Sequence, residues 1–277
     1  MSVMAQTVIL TYPAGAAVVS GQRLVLSSVE LPGVGEPLIL AVGGLPRLRA
    51  GTLLRPDKDV PRLRIAGGAY FPRGGREPAA RVYFAEALFS GFLAGGASAF
   101  TIVRQGFSLA WITLSDKGFA GLRGDESGPL IARIASQYLP IGHAQGFLLP
   151  DDPLALRALL TDLALTQGYD LIVTTGGTGL APSDKTPEAT LAVIDSRLGG
   201  FETAMAAASL KITPMAAISR AVCGALGQSV IVNLPGSPKA VAENFAAIGG
   251  ALEHALRKLQ GDPADCARIE SNVPGAS

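Results

Sequence analysis

The sequence contains few of the residue types that mark several functional classes. Its 277 residues include only two cysteines and two histidines. Cys223 and Cys266 are too few for a disulfide framework and lack metal-ligand spacing, which favours a reducing, cytoplasmic location. We interpret His143 and His254 as structural or surface residues. No basic segment precedes an apolar core at the N-terminus, so a secretory signal is not expected.

Charged residues are also scarce, at 16% of the chain against 48% hydrophobic residues. This composition is typical of an α/β protein whose central strands are covered on both faces. The net charge of +1 gives no overall case for nucleic-acid binding. Residues 1–107 carry 11 Lys and Arg against 6 Asp and Glu, or +5, whereas residues 108–277 carry 12 against 16, or −4.

One long apolar segment, residues 85–103, resembles a membrane span in length. It contains Glu86 and several glycines and serines, and it lacks the unbroken Leu, Ile and Phe character of a strong span. We therefore predict a buried helix and loop here, and no membrane association.

Residues 1–107 consist of short apolar runs separated by proline and glycine clusters, which predicts a small β-rich accessory domain. The run 81–92 is a candidate helix that closes this domain.

The arginines of the domain allow two interpretations: they dock a partner, an oligomer mate or an anionic ligand, or they solubilise an edge-rich β domain. The arginines in question are Arg47, Arg49, Arg55, Arg62, Arg64, Arg73 and Arg76.

From residue 108 the pattern changes to alternating strands and helices. Strands are predicted at 109–114, 144–149, 171–174 and 230–234, with helices at 127–138, 153–167, 187–195, 201–212 and 238–259. Repeated β-α alternation predicts a doubly wound, mostly parallel sheet over residues 108–260. Residues 261–277 are predicted to be a loose tail.

The most informative segment is residues 170–179, in which Asp170 and the apolar run 171–173 lead into TTGGTG at 174–179, and Asp184 follows. Glycines allow backbone N–H groups to approach an anion closely, and threonine hydroxyls add further donors. An acidic residue beyond such a loop can hold a divalent cation against phosphate oxygens. The segment therefore predicts a site for a phosphorylated ligand and a metal.

Polar residues follow each predicted parallel strand: Ser115-Asp116, Asp151-Asp152, residues 175–179 and residues 235–237. Ligands bind at the carboxyl ends of the strands in open α/β sheets, so these residues are expected to line one rim. Asp152, which precedes Pro153, is expected to cap a helix. The same capping role is open to Asp184, and Asp125 has the alternative role of ordering its own loop.

Five blocks carry a family resemblance. Residues 174–179 (TTGGTG), 183–190 (SDKTPEAT) and 233–239 (NLPGSPK) resemble the molybdopterin-binding fold, in particular the molybdopterin adenylyltransferases. Residues 113–118 (TLSDKG) and 125–129 (DESGP) agree, as does the pair at 150–151. The blocks occur in order over about residues 108–260.

The resemblance implies that molybdopterin and Mg-ATP react to give adenylyl-molybdopterin and pyrophosphate. It implies that Asp151 and Asp184 bind Mg²⁺ and act in catalysis. It also implies a homo-oligomer, commonly a trimer, and a downstream molybdate-insertion enzyme as partner. The binding residues that it implies are Ser115, Asp116, Thr175, Gly176, Gly177, Thr178, Gly179, Pro235, Gly236, Ser237 and Lys239.

The chain departs from the family pattern near the glycine loop. Leu180 replaces a common proline, and Ser183 stands where many relatives have arginine. Lys185 either takes over that phosphate contact or is a solvated charge, and Lys239 has the same two interpretations. Two other functions stay open: a non-catalytic molybdopterin carrier, and the molybdate-insertion step.

Overall fold

The computed structural model describes residues 6–12, 17–31, 38–56, 59–92 and 95–262. The predicted tail therefore lies almost entirely outside the described residues, as does Cys266. No helix of the described part combines the length and the apolar character that crossing a bilayer requires.

The first part of the chain forms a closed β-barrel. Seven strands are hydrogen-bonded in the order β1-β4-β3-β7-β6-β5-β9, and β9 closes the barrel against β1. Only the β3–β4 pair is parallel. Two short strands, β2 and β8, pair separately. The bounds are β1 (Thr7–Tyr12), β2 (Ala17–Val18), β3 (Arg23–Ser27), β4 (Leu38–Val42), β5 (Leu53–Pro56), β6 (Leu63–Phe71), β7 (Ala80–Ala87), β8 (Gly91–Phe92) and β9 (Gly96–Val103).

The helix predicted over residues 81–92 is wrong, and so is the buried helix and loop predicted over 85–103. Strand β7 pairs with β3 and β6, and β9 occupies most of the apolar segment. Every second side chain of β7, namely Tyr83, Ala85 and Ala87, is buried in the barrel core, whereas Phe84 between them is exposed. This period of two outweighs the helix propensity of the alanines because the strand gains cross-strand and core contacts.

The second part contains a six-stranded sheet in the order β11-β10-β12-β15-β14-β13. The first four strands in that order are parallel, and β14 and β13 extend them as an antiparallel edge. The bounds are β10 (Phe107–Leu114), β11 (Ile141–Leu149), β12 (Leu171–Thr175), β13 (Ser196–Arg197), β14 (Cys223–Leu226) and β15 (Ser229–Leu234).

Helices cover both faces of this sheet, which confirms the predicted doubly wound α/β fold. Alternate residues of β10 face opposite sides: Leu109 packs with α2 and α6, whereas Ile112 packs with α3. The helices are α1 (Asp116–Phe119), α2 (Ser127–Tyr138), α3 (Pro153–Thr161), α4 (Thr186–Leu191), α5 (Gly199–Leu210) and α6 (Pro238–Leu259). The helix predicted to reach Gln167 continues from α3 as a π-helical segment, Asp162–Gln167, and a short 3-10 helix spans Pro214–Ile218.

The barrel packs against the amino ends of the parallel strands. Asp170, fully buried before β12, pairs with Arg49 at 3.0 Å and Arg104 at 2.5 Å. The same carboxylate accepts hydrogen bonds from the backbone N–H and the hydroxyl of Ser108. Ser108 and Asp170 each come one residue before the first pair of β10 and β12, Leu109 and Leu171. These contacts leave the carboxyl ends of the strands, where the candidate site lies, at the opposite end of the sheet.

Arginines of the barrel also bond to carbonyls at the end of the π-helical segment. Arg47 donates to Leu165 O, Arg81 to Thr166 O and Arg49 to Gly168 O. A helix end leaves such carbonyls without intrahelical donors and carries partial negative charge. Of the seven arginines considered for docking, three others form ion pairs within the first part of the chain: Arg62 with Asp59, Arg64 with Glu86 and Arg73 with Glu77.

Candidate active site

The parallel register brings four strand ends to one rim, as the sequence predicts. Leu114 at the end of β10 lies opposite Leu149 of β11, and Thr175 of β12 lies opposite Leu234 of β15. The loops that follow these strands therefore start side by side. They carry Ser115-Asp116, Asp151, the glycine loop 176–179 and residues 235–237.

The glycine loop needs its glycines. Gly176 has φ +102°, and a Cβ there would lie 2.5 Å from the carbonyl oxygen of Leu114. Gly177 has φ +64°, and a Cβ there would collide with Oγ1 of Thr186. This threonine hydroxyl donates to Gly176 O at 2.9 Å, and its backbone N–H donates to Gly177 O at 3.2 Å. The start of α4 therefore fixes the loop conformation.

A cavity of 310 Å³, here called the rim cavity, lies beside Thr175, the residue that leads into this loop. Two helix N-termini border it, because Ser127 begins α2 and Ser237 is the N-cap of α6. The Ser127 hydroxyl donates to Gly236 O at 2.9 Å, and the Thr175 hydroxyl donates to Pro235 O at 2.7 Å. Helix N-termini and hydroxyls favour an anion. The residues that line the rim cavity include Thr113, Ser115, Asp125, Thr175, Gly236 and Ser237.

A second, larger cavity of 660 Å³ is here called the lateral cavity. It lies between α4, α5, the 3-10 helix and the start of α6. Thr178 and Gly179 form its wall next to the glycine loop. Most of the remaining lining is apolar, with charged pairs at the edge. Representative lining residues are Thr178, Gly179, Met205, Arg220, Pro235 and Asn244.

Asp116 and Asp151 are joined by reciprocal hydrogen bonds between neighbouring strand ends. The backbone N–H of Asp151 donates to Oδ1 of Asp116 at 2.9 Å, and the backbone N–H of Asp116 lies 3.4 Å from Oδ2 of Asp151. Partial burial raises the pKa of Asp151, and the negative charges of Asp116 and Asp184 raise it further, against the hydrogen bond from Asp116. The three carboxylates therefore share one electrostatic environment.

Asp184, which follows the glycine loop in the chain, lies near enough to Asp151 for its charge to act on that carboxylate. Asp151 lines a narrow crevice together with Ser183 and Lys185, the two neighbours of Asp184. Oδ2 of Asp184 accepts a hydrogen bond from Ala181 N at 2.8 Å. Asp184 does not cap α4, whose N-cap is Lys185 and has no side-chain hydrogen bond.

Residues 110–254, slightly more than half of the chain, match the family described as "Probable molybdopterin binding domain". The chain belongs to this molybdopterin-binding family. The molybdopterin adenylyltransferase of Haemophilus influenzae is 38% identical over 138 residues, which are 50% of this chain and 70% of that protein. The family resemblance drawn from the sequence motifs is therefore confirmed.

Two further relatives define how far the likeness extends. The molybdenum cofactor synthesis protein cinnamon of Drosophila melanogaster is 32% identical over 166 residues, but the match covers 60% of this chain and only 28% of that protein. The crystal structure of the molybdopterin biosynthesis enzyme MoaB from Thermus thermophilus is 40% identical. It covers 57% of this chain and 99% of that chain, with a TM-score of 0.52.

Three further residues, Lys239, Asp152 and Asp125, lie near the strand ends in this member of the molybdopterin-binding family. Lys239 has an 80% exposed side chain whose Nζ lies 3.9 Å from Glu243, and it lines neither cavity. Asp152 caps α3, as expected, by accepting from Leu154 N and Ala155 N. Asp125 orders its loop, since its carboxylate accepts from Thr113 Oγ1 and Gly128 N, both at 2.8 Å.

Sequence reasoning missed Arg220, which contacts the glycine loop of this family member from another part of the chain. Its Nε donates to Gly179 O at 2.8 Å, and a terminal nitrogen donates to Asp184 O at 2.6 Å. Arg220 follows the 3-10 helix, 36 residues beyond Asp184. No local pattern relates the two, because only the tertiary fold brings them together.

Proposed function

We propose that this protein is a molybdopterin adenylyltransferase of molybdenum cofactor biosynthesis. A terminal phosphate oxygen of molybdopterin attacks the α-phosphorus of ATP. The bond from that phosphorus to the oxygen bridging the β-phosphate breaks, which gives adenylyl-molybdopterin and pyrophosphate. The observation that carries the proposal is the arrangement around the glycine loop: Thr178 and Gly179 line the lateral cavity, and Thr175, which leads into the loop, lines the rim cavity. Asp151 lies in the crevice beside the two neighbours of Asp184.

The two cavities fit a reaction between two bound molecules. Both reactants present phosphate groups at the reacting end, and these repel each other. The rim cavity offers helix N-termini and hydroxyls for such groups, while the lateral cavity offers apolar surface for a ring system. Positioning by this fixed scaffold accounts for much of the rate enhancement that we propose.

The acidic groups fit a magnesium ion. The pKa of Asp151 is raised by burial and then by the charges of Asp116 and Asp184, a repulsion that a cation relieves. No cluster of three or more acidic, histidine or cysteine ligands occurs among the described residues. Mg²⁺ in nucleotide sites takes one or two protein carboxylates and completes its shell with phosphates and water. Asp151 and Asp184 would hold it, and the ion would offset the phosphate charge.

The test is incubation of the purified protein with molybdopterin, Mg²⁺ and ATP labelled in the α-phosphate. Label in the pterin product is the expected result. Binding without transfer would favour a carrier, and molybdate-dependent release of AMP from preformed product would favour the insertion step. We expect Asp184→Ala to abolish transfer while the melting temperature changes little, and Asp59→Ala in the barrel to keep wild-type transfer. Wild-type turnover of Asp184→Ala would contradict the metal role.

The proposal extends to assembly and location. Several apolar side chains around the lateral cavity are exposed, among them Leu180 and Met215 at 66% and Ile218 at 50%. They fit an interface between copies of the chain, and we propose a trimer that acts in the cytoplasm and passes its product to a molybdate-insertion enzyme. Light scattering after size exclusion measures the oligomer, and a monomer at all concentrations would refute it.

A further inference from the structure

The segment between the glycine loop and α4 is an exposed connection. Residues 180–183 and Lys185 are exposed, and Asp184 is half-buried. Its internal bonds are short-range: Asp184 N donates to Ala181 O at 2.9 Å, and Ala181 N donates to the Asp184 carboxylate. These bonds define a turn over 181–184. They do not fix where the turn lies relative to the glycine loop.

Thr186 anchors the end of the connection to Gly176 and Gly177, and Arg220 supplies the bonds that tie the turn itself to the glycine loop. Its backbone N–H donates to Thr178 O at 3.0 Å, so the main chain at Arg220 is anchored to the glycine loop. The guanidinium then bridges the carbonyl oxygens of Gly179 and Asp184, which lie at the two ends of the connection. A third bond joins the guanidinium to the carboxylate of Glu188 on α4.

The geometry of these bonds requires arginine. A guanidinium presents its donors in a rigid planar fork, so two carbonyls bound to it are held at a set separation. A lysine ammonium carries the same charge on a flexible stem and cannot impose that separation. Glu188 fixes the plane of the fork from α4. The Arg220 side chain is 32% exposed, so the fork is partly shielded from competing water.

We propose that Arg220 is a positioning residue for the carboxylate of Asp184, with Glu188 orienting its guanidinium. This inference rests on the proposed transferase function. Arg220 bonds to the main chain of Asp184 and acts through it. The sequence has Ser183 beside Asp184, so the arginine that organises this connection comes from the segment before β14.

The test compares Arg220→Lys and Glu188→Gln with Arg257→Lys, a control that alters an exposed ion pair on α6. For Arg220→Lys we expect kcat to fall about 100-fold, the effect of a misplacement of about 1 Å. The KM values should stay within about twofold, and the Mg²⁺ concentration for half-maximal rate should rise. Glu188→Gln should also lower kcat and raise the Mg²⁺ concentration for half-maximal rate, but by less. Arg257→Lys should match the wild type.

Amide hydrogen exchange of residues 180–185 provides a readout that does not depend on activity. Exchange should accelerate in Arg220→Lys while exchange in α6 and the melting temperature stay at wild-type values. Wild-type exchange at 180–185 would overturn the positioning role, and so would a loss confined to KM, which would make Arg220 a substrate contact. If the wild-type protein transfers no label at all, the proposed function fails, and the exchange result still decides whether Arg220 positions Asp184.

Discussion

Arg104 of the barrel segment and Asp170 of the α/β part form an ion pair of 2.5 Å, and the Asp170 side chain has no exposed surface. Arg49 completes the arrangement from the other side at 3.0 Å. The buried carboxylate of Asp170 compensates the positive charges of both guanidinium groups, so its removal leaves these charges without a partner at this position.

We therefore expect Asp170→Ala to lower the free energy of unfolding by about 3–5 kcal/mol, the cost of breaking a buried pair on one side. Urea denaturation monitored by tryptophan fluorescence measures this. Asp59→Ala removes an exposed partner of Arg62 and should change stability far less, because water and salt screen such a pair. Equal losses in both variants would show that burial of Asp170 is not the source of its contribution.

His143 predicts a dependence of stability on pH. Burial lowers the pKa of His143, and the charge of Arg64 lowers it further. The unfolded state therefore binds more protons than the folded state as the pH falls below about 7, so stability decreases on acidification through about pH 6.5 and until the folded pKa is passed.

Replacing this histidine should remove that contribution. Between about pH 7.5 and 5 we expect the melting temperature of His143→Gln to fall less steeply than that of the wild type. Differential scanning fluorimetry across this range provides the comparison. Parallel curves for the wild type and His143→Gln would contradict a lowered pKa for this half-buried imidazole, whose Nε2 lies 3.3 Å from the Tyr169 hydroxyl.

Gly176→Ala should damage the candidate site directly. Its φ of +102° disfavours any L side chain, and the new Cβ would press on Leu114 O. We expect a loss of about 1–3 kcal/mol in stability from backbone strain and about a 100-fold loss of transfer from loop displacement. Gly199→Ala is the matched control, because nothing lies within 4 Å of its Cβ position. Wild-type transfer in Gly176→Ala would show that the loop conformation is dispensable.

Cys223 should be chemically silent in the folded protein. Burial raises the pKa of its thiol to about 12, and the charge of Glu202 adds to this. In a Cys266→Ser background, a disulfide reagent at about pH 8 should therefore label Cys223 only after urea is added, because the thiolate is the reactive form. Stoichiometric labelling of the native protein within minutes would contradict this burial.

Much of the second part of the fold could be predicted from the sequence. Ser127 and Pro129 mark the start of α2, and the predicted bounds agree with Ser127–Tyr138. The rim could also be predicted, because parallel strands place their carboxyl ends together whatever the details of packing. The family motifs then selected Asp151 and Asp184 from the acidic residues near that rim.

The remainder depended on tertiary context. The alanines of β7 have helix propensity, and only pairing with β3 and β6 makes the segment a strand. Arg220 has no sequence signal that relates it to Asp184, since its role depends on where β14 enters the sheet. The role of Lys239 stays a prediction with two interpretations, because its side chain is exposed with Nζ 3.9 Å from Glu243.

The attachment of the barrel to the amino ends of the strands has a consequence for handling the molecule. A tether, surface or binding protein attached to the barrel is held on the side of the sheet where the parallel strands begin, and the glycine loop lies where they end. Immobilisation through the barrel should therefore leave the glycine loop accessible from solution, and an affinity reagent raised against the barrel should leave substrate binding intact.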